Sequence, residues 1–290
     1  MKRKILLLTG IFSGILTVTA QNNFTYTKMA DSLLFPVNKS LITTGVLYDR
    51  VAPFTALHAF KNTDTSSFWH FVQAFSELRA ATYSNSSMMQ VEKIDTVSKG
   101  YYADSTVPIG VLYFDFNWID TLAINKNLFY KGTDSLVHDV IGRTGNPYLL
   151  KNITIASALP QDSLEYGNGT VKFKYVSQLF ITNKSVSITS IQGDFGSGNQ
   201  NLTSGNTVTV NYGSSGKKSI KFTVTYSNGQ TATAYSKIFI KSPSVSSRFG
   251  EAKQANVYDN IIDTYGYQGY DETAKKYNTG RYGILSLYFT

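Results

Sequence analysis

Cysteine is absent from the 290 residues, and only 16% of them are charged, against roughly 25% in an average globular protein. A chain without cysteine forms no disulfide, has no thiol nucleophile and cannot be lipidated at a lipoprotein cleavage site. Its fold must therefore be stabilised by burial of apolar side chains, which a chain of this length can supply.

Several sequence motifs of enzymes are also missing. There is no Gly-x-Ser-x-Gly pentapeptide, no His-Glu-x-x-His, no phosphate-binding Gly-x-x-x-x-Gly-Lys and no dinucleotide fingerprint. These absences argue against an α/β-type serine hydrolase, a zincin-type metalloenzyme and a nucleotide-binding enzyme. The sequence favours a chain that is not an enzyme, and it predicts no cofactor and no metal motif.

The N-terminus has the pattern of an export signal. Basic residues at positions 2–4 precede an apolar or small stretch over 5–18, and small residues at 18–20 come just before Gln21. This pattern predicts a signal peptide over residues 1–20, with cleavage near Ala20-Gln21. No later run of apolar residues reaches the length of a membrane-spanning helix. The mature chain should be secreted or displayed at the cell surface, without an integral membrane segment.

The net charge of +8 at pH 7 overstates how basic the mature chain is. Loss of Lys2, Arg3 and Lys4 leaves 24 basic against 19 acidic residues, a net charge of +5. The basic residues that remain are scattered, with adjacent pairs only at 217–218 and 275–276. Nucleic-acid-binding surfaces cluster such residues, so we expect no nucleic-acid partner.

Residues 21–150 are predicted to form an α+β N-terminal domain. Residues 67–82 have apolar side chains on one face of a 3.6-residue period, which predicts a helix. After Pro108, apolar and polar side chains alternate, which predicts a strand with one apolar face that packs against this helix. The apolar face consists of Leu112, Phe114, Phe116 and Trp118, and we expect Asp115 and Asn117 to point to water or to a pocket.

Residues 151–241 are predicted to form a β-sandwich. Alternating strands occur near residues 171–175, 208–212, 220–226 and 232–240, with loops at 190–206 and 213–216. Asn228-Gly229 supplies the positive-φ pair of a two-residue type I′ hairpin. The predicted fold class is mainly β: an α+β domain followed by an immunoglobulin-like sandwich.

The second region resembles a known family. Residues 208–213, 216–226 and 227–234 are similar to the last three strands of a PKD-type immunoglobulin-like domain, and residues 193–198 retain part of its Trp-Asp-Phe-Gly-Asp-Gly stretch. The resemblance covers about 60 residues and implies an Ig-like β-sandwich.

A second resemblance covers the first region. Residues 41–53 and 69–78 resemble the N-terminal region of large exported proteins of Bacteroidetes-type bacteria. Some of those proteins continue into an α/β-hydrolase-like domain and a C-terminal sorting domain. The resemblance implies that a C-terminal domain is missing after residue 290.

Residues 242–290 are predicted to be a Ser/Pro linker and a tyrosine-rich segment that ends in a strand over 284–289. Exposed tyrosine rings can stack on sugar faces, so Tyr265, Tyr267 and Tyr270 are candidate ligand-binding residues. The alternative is that these rings pack on the sandwich or on a missing domain. The expected partner is therefore a glycan or another domain of the same polypeptide.

Few residues are candidates for chemistry. His58, His70 and His138 belong to no metal motif, and the adjacent pair His138-Asp139 is a poor acid–base pair because neighbouring side chains rarely face each other. Asp115, Asp120 and Asp194 are candidate catalytic acids by residue type alone. Asp194 or the Asp259/Asp263 pair could bind calcium, although neither lies in a regularly spaced Asp-x-Asp-x-Asp motif. We assign no catalytic and no metal residue.

Three functional hypotheses follow. The first is an exported, non-catalytic module that serves as a spacer, an adhesion segment or a glycan-binding region. The second is the N-terminal accessory region of an exported α/β-hydrolase-type enzyme whose catalytic domain lies beyond residue 290. The third, a self-contained enzyme, requires a cleft in which a histidine meets a carboxylate.

Overall fold

The computed structural model describes residues 22–51, 61–84, 86–104, 106–160, 169–203 and 205–240, and two short strands at 270–271 and 276–277. The helices are α1 (Asn22–Leu33), α2 (Phe68–Ala81) and α3 (Val91–Tyr102), with 3-10 turns at Lys39–Leu41 and Tyr48–Arg50. The strands are β1 (Thr65–Ser66), β2 (Thr106–Ile119), β3 (Phe129–Lys131), β4 (Val137–Asp139), β5 (Tyr148–Ala158), β6 (Thr170–Thr182), β7 (Ile188–Asp194), β8 (Asn199–Asn201), β9 (Thr207–Asn211), β10 (Gly216–Tyr226), β11 (Thr231–Ile240), β12 (Tyr270–Asp271) and β13 (Lys276–Tyr277). The protein is mainly β, as predicted.

The first sheet has the strand order β5-β2-β6-β9. Its longest strand, β2, pairs antiparallel with β5 and parallel with β6. Both faces of β2 are buried, because Val111 and Tyr113 lie in one apolar cluster, and Leu112 and Phe114 in another. A strand covered on both faces lies between two packed layers.

The second sheet, with the order β1-β11-β10-β7-β8, packs on one face of the first. Alternate side chains of β10 and β11 point into the space between the sheets, as the period of two requires. They meet side chains of β2, β5, β6 and β9 in one apolar cluster, which includes Val107, Phe173, Val208, Phe222 and Ile238. The two sheets therefore share one core.

The helices cover the other face of the first sheet. Helix α2 buries Phe71, Ala74, Phe75 and Leu78 against Leu112, Phe114 and Phe116, which confirms both the predicted helix and the strand that it packs on. A Cβ atom added at Gly110 of β2 would lie 2.7 Å from Cζ of Phe71. The missing side chain at position 110 is what lets α2 approach the sheet so closely.

The two sheets meet at a corner formed by small polar side chains. Strand β1 pairs parallel with β11, and Ser66 Oγ donates to the carbonyls of Tyr235, at 3.0 Å, and Ala156, at 3.2 Å. Ser236 Oγ accepts a hydrogen bond from the Ala158 amide at 3.1 Å. Ser66 and Ser236 are both fully buried, so these bonds join β11 to β5 inside the protein.

A smaller apolar cluster lies under the β3–β4 hairpin. It contains Phe129 and Val137 from the hairpin, Tyr148 from the start of β5, and Leu34 and Ile42 from the segment after α1. The hairpin therefore has an inner face that packs on this cluster and an outer face that carries Tyr130 and His138.

Three local expectations are wrong. Asn117 is buried, not directed to water, and accepts a hydrogen bond from Thr44 Oγ1 at 2.8 Å. The expected loop over 190–206 includes most of β7 and all of β8. In the β10–β11 hairpin only Gly229 has positive φ, and its amide bonds to the Tyr226 carbonyl. That is a three-residue loop with glycine at the left-handed position, not a type I′ turn.

The predicted boundary at residue 150 falls within β5, which spans Tyr148–Ala158. The first sheet takes β2 from one side of that boundary and β6 and β9 from the other. The two predicted regions therefore contribute strands to one sheet.

Several expectations concern residues outside the described part of the chain. These are the signal peptide over 1–20, His58, the linker over 242–247, the Asp259/Asp263 pair, Tyr265, Tyr267 and the strand over 284–289. Within the described residues, no helix is both long and apolar enough to cross a membrane.

Candidate functional site

The three predicted ligand-binding tyrosines lie in the last segment of the chain. Tyr265 and Tyr267 are outside the described residues. Tyr270 begins the two-residue strand β12 and is opposite Tyr277 of β13 in an antiparallel pair. The structure therefore describes only the backbone pairing of one of the three.

His70 is part of the fold's interior. It lies in the first turn of α2, is 5% exposed, and its Nδ1 is 3.0 Å from the hydroxyl of Ser67. Burial, together with the charge of Lys237, lowers the pKa of His70 to about 4. The imidazole is neutral at physiological pH, and its contacts are those of a packed side chain at a helix start.

The nominal acids are each engaged by local partners. Asp115 lies 2.9 Å from the ammonium group of Lys184, and Asp120 lies 2.5 Å from that of Lys126. The hydrogen bond from Lys126 lowers the pKa of Asp120. Asp194 Oδ1 accepts from the amides of Gly196 and Gly198 at 2.9 and 3.1 Å. These three carboxylates lie within β2, directly after β2 and at the end of β7, and each is bound by groups close to it in the fold.

A buried polar cluster joins the two segments of the exported-protein resemblance. The Tyr48 hydroxyl donates to Glu77 Oε2 of α2 at 2.6 Å, and Gln73 donates to Glu77 Oε1 at 2.9 Å. Glu77 is only 1% exposed. Burial and the neighbouring carboxylate of Glu77 raise the pKa of Tyr48 well above its usual value. We call Tyr48, Asp49, Arg50 and Glu77 the Tyr48–Glu77 cluster.

Arg50 connects this cluster to α1. Its Nε and Nη2 donate to the two carboxylate oxygens of Asp31 at 2.8 and 2.9 Å, and its Nη1 donates to the Ala81 carbonyl at 3.1 Å. The guanidinium carbon also lies 4.1 Å from the centre of the Tyr83 ring. One side chain thus holds α1, the end of α2 and the following loop together through a bidentate pair and a stacked ring.

Asp49 connects the cluster to the end of β2. Its Oδ2 accepts a hydrogen bond from the Ile119 amide at 2.7 Å. Burial raises the pKa of Asp49 to about 7, although hydrogen bonds from Ile119 and from the Trp118 side chain act in the opposite direction. The polar groups of the cluster are satisfied by one another and by the backbone, which is the chemistry of a structural crosslink.

The outer face of the β3–β4 hairpin has a different character. Tyr130 and His138 are directly opposite each other in register, with ring centroids 5.3 Å apart and planes inclined by 21°. Nε2 of His138 is 3.0 Å from Oδ2 of Asp134 at the hairpin tip. His138 thus meets Asp134, and the neighbouring Asp139 bonds to Arg143 at 2.6 Å. We call Tyr130, His138 and Asp134 the hairpin platform.

A surface pocket of about 520 Å³ lies beside the hairpin, lined by Asn38, Leu41 and residues 139–146. Its charged pair, Asp139 and Arg143, is used internally: Arg143 also donates to the Gly145 carbonyl at 2.7 Å, and Asp139 accepts from the Asn38 amide at 2.5 Å. The polar groups of this wall hold the loop over 139–146 in place.

In the described part of the chain, no three His, Cys, Asp or Glu side chains group in a way that could hold a metal ion. Comparison with known proteins finds no matching family model, curated protein or solved structure. The sequence predicted neither the Tyr48–Glu77 cluster nor the hairpin platform. The resemblance drew attention to residues 41–53 and 69–78, which the cluster joins, whereas nothing in the sequence indicated the platform.

Proposed function

We propose that this chain is an exported, non-catalytic module of the immunoglobulin-like class that acts as a spacer, an adhesion segment or a glycan-binding region. The observation that carries the proposal is the strand order. Strands β6 and β9 pair in one sheet, and β8, β7, β10 and β11 follow one another in the facing sheet. This order supports the proposal because it can be matched to strands B and E opposite strands C′, C, F and G of an Ig-like sandwich.

The connections between these strands support the same class. The chain passes from the first sheet to the second between β6 and β7, returns for β9, and then forms the β10–β11 hairpin. Strands β2 and β5 extend the first sheet beyond the Ig-like set, and α2 covers its other face. The fold is stabilised by two large apolar clusters, which suits a module outside the cell that has no disulfides.

The second candidate is an accessory region of an exported α/β-hydrolase-type enzyme. One observation favours it: the two segments that carry the exported-protein resemblance meet in the Tyr48–Glu77 cluster. The two segments are apart in sequence but form one buried unit, as expected if both belong to a common structural element of such N-terminal regions.

Export is tested by producing the chain with its own N-terminus in a bacterial host and determining the first residue of the product outside the cytoplasm. We expect Gln21. The variant Ala20→Phe places a large side chain at the cleavage position and should leave the leader attached. Full-length protein retained in the cytoplasm would contradict the proposal.

Ligand binding is tested with the mature chain on a panel of insoluble polysaccharides. If the tyrosine-rich segment binds glycans, replacement of Tyr265, Tyr267 and Tyr270 by alanine should abolish retention, and replacement by phenylalanine should preserve it, because the ring face is kept. If the polysaccharides retain neither the mature chain nor its variants, glycan binding is excluded for this panel and the spacer or adhesion role is what remains of the proposal.

A further inference from the structure

The hairpin platform presents an aromatic ring to solvent in a fixed position. Tyr130 is 45% exposed, while its neighbours Phe129 and Val137 are buried in the cluster beneath. The imidazole of His138 lies nearly parallel to the phenol ring and offset from it, with the centroids 5.3 Å apart, so it covers only part of one face. The ring cannot turn inward, because the inner face of the hairpin is already packed.

A carboxylate is held beside the rings. Asp134 accepts hydrogen bonds from the Leu136 amide at 3.0 Å and from His138, and these contacts lower the pKa of its carboxyl group. Its side chain is still 48% exposed. A carboxylate has about four acceptor positions, so Asp134 can accept further hydrogen bonds from the hydroxyl groups of a ligand.

The backbone of the hairpin tip is shaped to bring these groups together. A Cβ atom at position 132 would lie 2.5 Å from Oδ1 of Asp134 and 2.8 Å from Nε2 of His138, so a larger residue there would displace the ends of these two side chains. Ser135 has φ of +66°, a conformation that costs a non-glycine residue about 1 kcal/mol or more. Such backbone conformations occur preferentially at functional sites.

We infer that the hairpin platform binds a pyranose unit of a β-linked polysaccharide, with the sugar ring stacked on Tyr130 and its hydroxyl groups donating to Asp134. A pyranose whose substituents are all equatorial has a face of C–H groups that matches an aromatic ring, and donors at its edge that match a carboxylate. A nucleic acid would bring its phosphates against the charge of Asp134. The inference rests on the glycan-binding form of the proposed function and locates a site in the described fold.

The test uses the mature chain and two soluble probes, cellohexaose and chitohexaose. Binding of each probe is measured by isothermal titration calorimetry and by NMR of the histidine ring protons. We expect binding of at least one probe, with a shift of the His138 resonances. Tyr130→Ala should weaken binding about tenfold, the equivalent of losing roughly 1.4 kcal/mol. Tyr130→Phe should bind within about twofold of the unchanged chain, since the stacking ring is kept.

Two further variants separate ligand binding from hairpin stability. Gly132→Ala should weaken binding by displacing the ends of the Asp134 and His138 side chains, while the Tyr130 ring is kept. Phe239→Ala removes another exposed aromatic ring, 55% exposed on β11, and should leave binding unchanged. Thermal melting of each variant shows whether it is folded.

Each outcome decides the inference. If neither hexasaccharide binds or shifts His138 in the unchanged chain, the platform only stabilises its hairpin and the inference is overturned, while the spacer role stands. Equal binding by Tyr130→Ala and the unchanged chain would also overturn it. If binding is then lost on replacing Tyr265, Tyr267 and Tyr270, the glycan-binding function survives at the C-terminal segment.

Discussion

Arg50 illustrates how one side chain can join elements that are distant in sequence. Its bidentate bond to Asp31 and its bond to the Ala81 carbonyl link α1 to the end of α2. The adjacent residues Tyr48 and Asp49 bond to Glu77 and to the Ile119 amide. Three consecutive residues therefore contact two helices and the central strand.

Substitution of Arg50 by lysine should lower the free energy of unfolding by about 2 kcal/mol. Lysine keeps the charge but loses the forked geometry of the Asp31 contact and the stacking on Tyr83. The matched control is Lys99→Met, which removes a solvent-exposed ion pair with Asp95 and should change stability by less than about 0.5 kcal/mol. Urea titration measures both, and equal effects would contradict the assigned role of Arg50.

Two glycines make a second comparison at the residue scale. Gly110→Ala inserts a methyl group 2.7 Å from Cζ of Phe71, and overpacking should cost about 1–3 kcal/mol. Gly100 lies in α3 with nothing within 4 Å of the added Cβ, so Gly100→Ala should stabilise by about 0.5–1 kcal/mol. Thermal denaturation should show opposite shifts in midpoint, and shifts in the same direction would contradict the close approach of α2 to β2.

At the scale of elements, the corner between the sheets depends on the small size of its side chains. The Ala158 amide has Ser236 Oγ as its acceptor at 3.1 Å, and the hydroxyls of Ser157 and Ser236 are 3.3 Å apart. Larger side chains would separate β11 from β5. The hydroxyl groups satisfy backbone polar atoms at a place where the two sheets do not pair directly.

Ser236→Ala should lower the free energy of unfolding by about 1–3 kcal/mol, because it leaves the buried Ala158 amide without this acceptor. Ser219→Ala, an exposed position on β10, should change stability by no more than about 0.5 kcal/mol. Hydrogen exchange at the Ala158 amide gives a direct readout. Unchanged protection in Ser236→Ala would show that the bond does not contribute.

Elements with a clear apolar period could be predicted from sequence, whereas α3, β5 and several very short strands were not. Helix α2 and strands β2, β6, β10 and β11 repeat their apolar positions over several turns or pleats. Strands β7 and β8 lie in a stretch rich in Gly, Ser and Asn, which has the composition of a loop. β1 has two residues, and only its partner β11 makes it a strand.

At the scale of the whole molecule, the shared sheet links the two halves of the chain. Because β2 pairs with both β5 and β6, its removal would expose both apolar clusters. The sequence could show that β2 has one apolar face, but not that Val111 and Tyr113 are covered by a second sheet. The second sheet comes from residues about 100 positions later in the chain, and a local sequence pattern does not reveal such contacts.

We therefore predict that residues 22–240 unfold in a single cooperative transition. A fragment of residues 151–241 lacks β2, leaves the inner edge of β6 unpaired, and should not fold alone. Differential scanning calorimetry of the mature chain and circular dichroism of the fragment test this. Two resolved transitions, or a folded fragment, would show that the halves are independent.

The pH dependence of stability should reflect two groups with opposite pKa shifts, the half-buried Asp49 and the buried His70. The pKa of Asp49 is raised to about 7, so between about pH 4 and pH 7 the folded state holds a proton that the unfolded state has released, and stability falls as pH rises. The pKa of His70 is lowered to about 4. Between about pH 4 and pH 6.5 the unfolded state therefore holds the extra proton, and stability rises with pH.

These two contributions should cancel in the unchanged protein over about pH 4 to 6.5 and become visible in single variants. Asp49→Asn should become more stable as pH rises in this range, and His70→Gln less stable, each by up to about 1.4 kcal/mol per pH unit. The free energy of unfolding from urea titrations at several pH values measures the slopes. Equal slopes in both variants would contradict the assignment.

The parallel pairing of β1 with β11 also has a kinetic consequence. Ser66 bonds to Tyr235, 169 positions later, so this corner cannot close until almost the whole described chain is present. Pairings of such long sequence separation form slowly and late. Until then the backbone of β11 at Tyr235 and Ser236 lacks its β1 partner. If the chain is exported as proposed, this late closure would help to keep it unfolded during translocation.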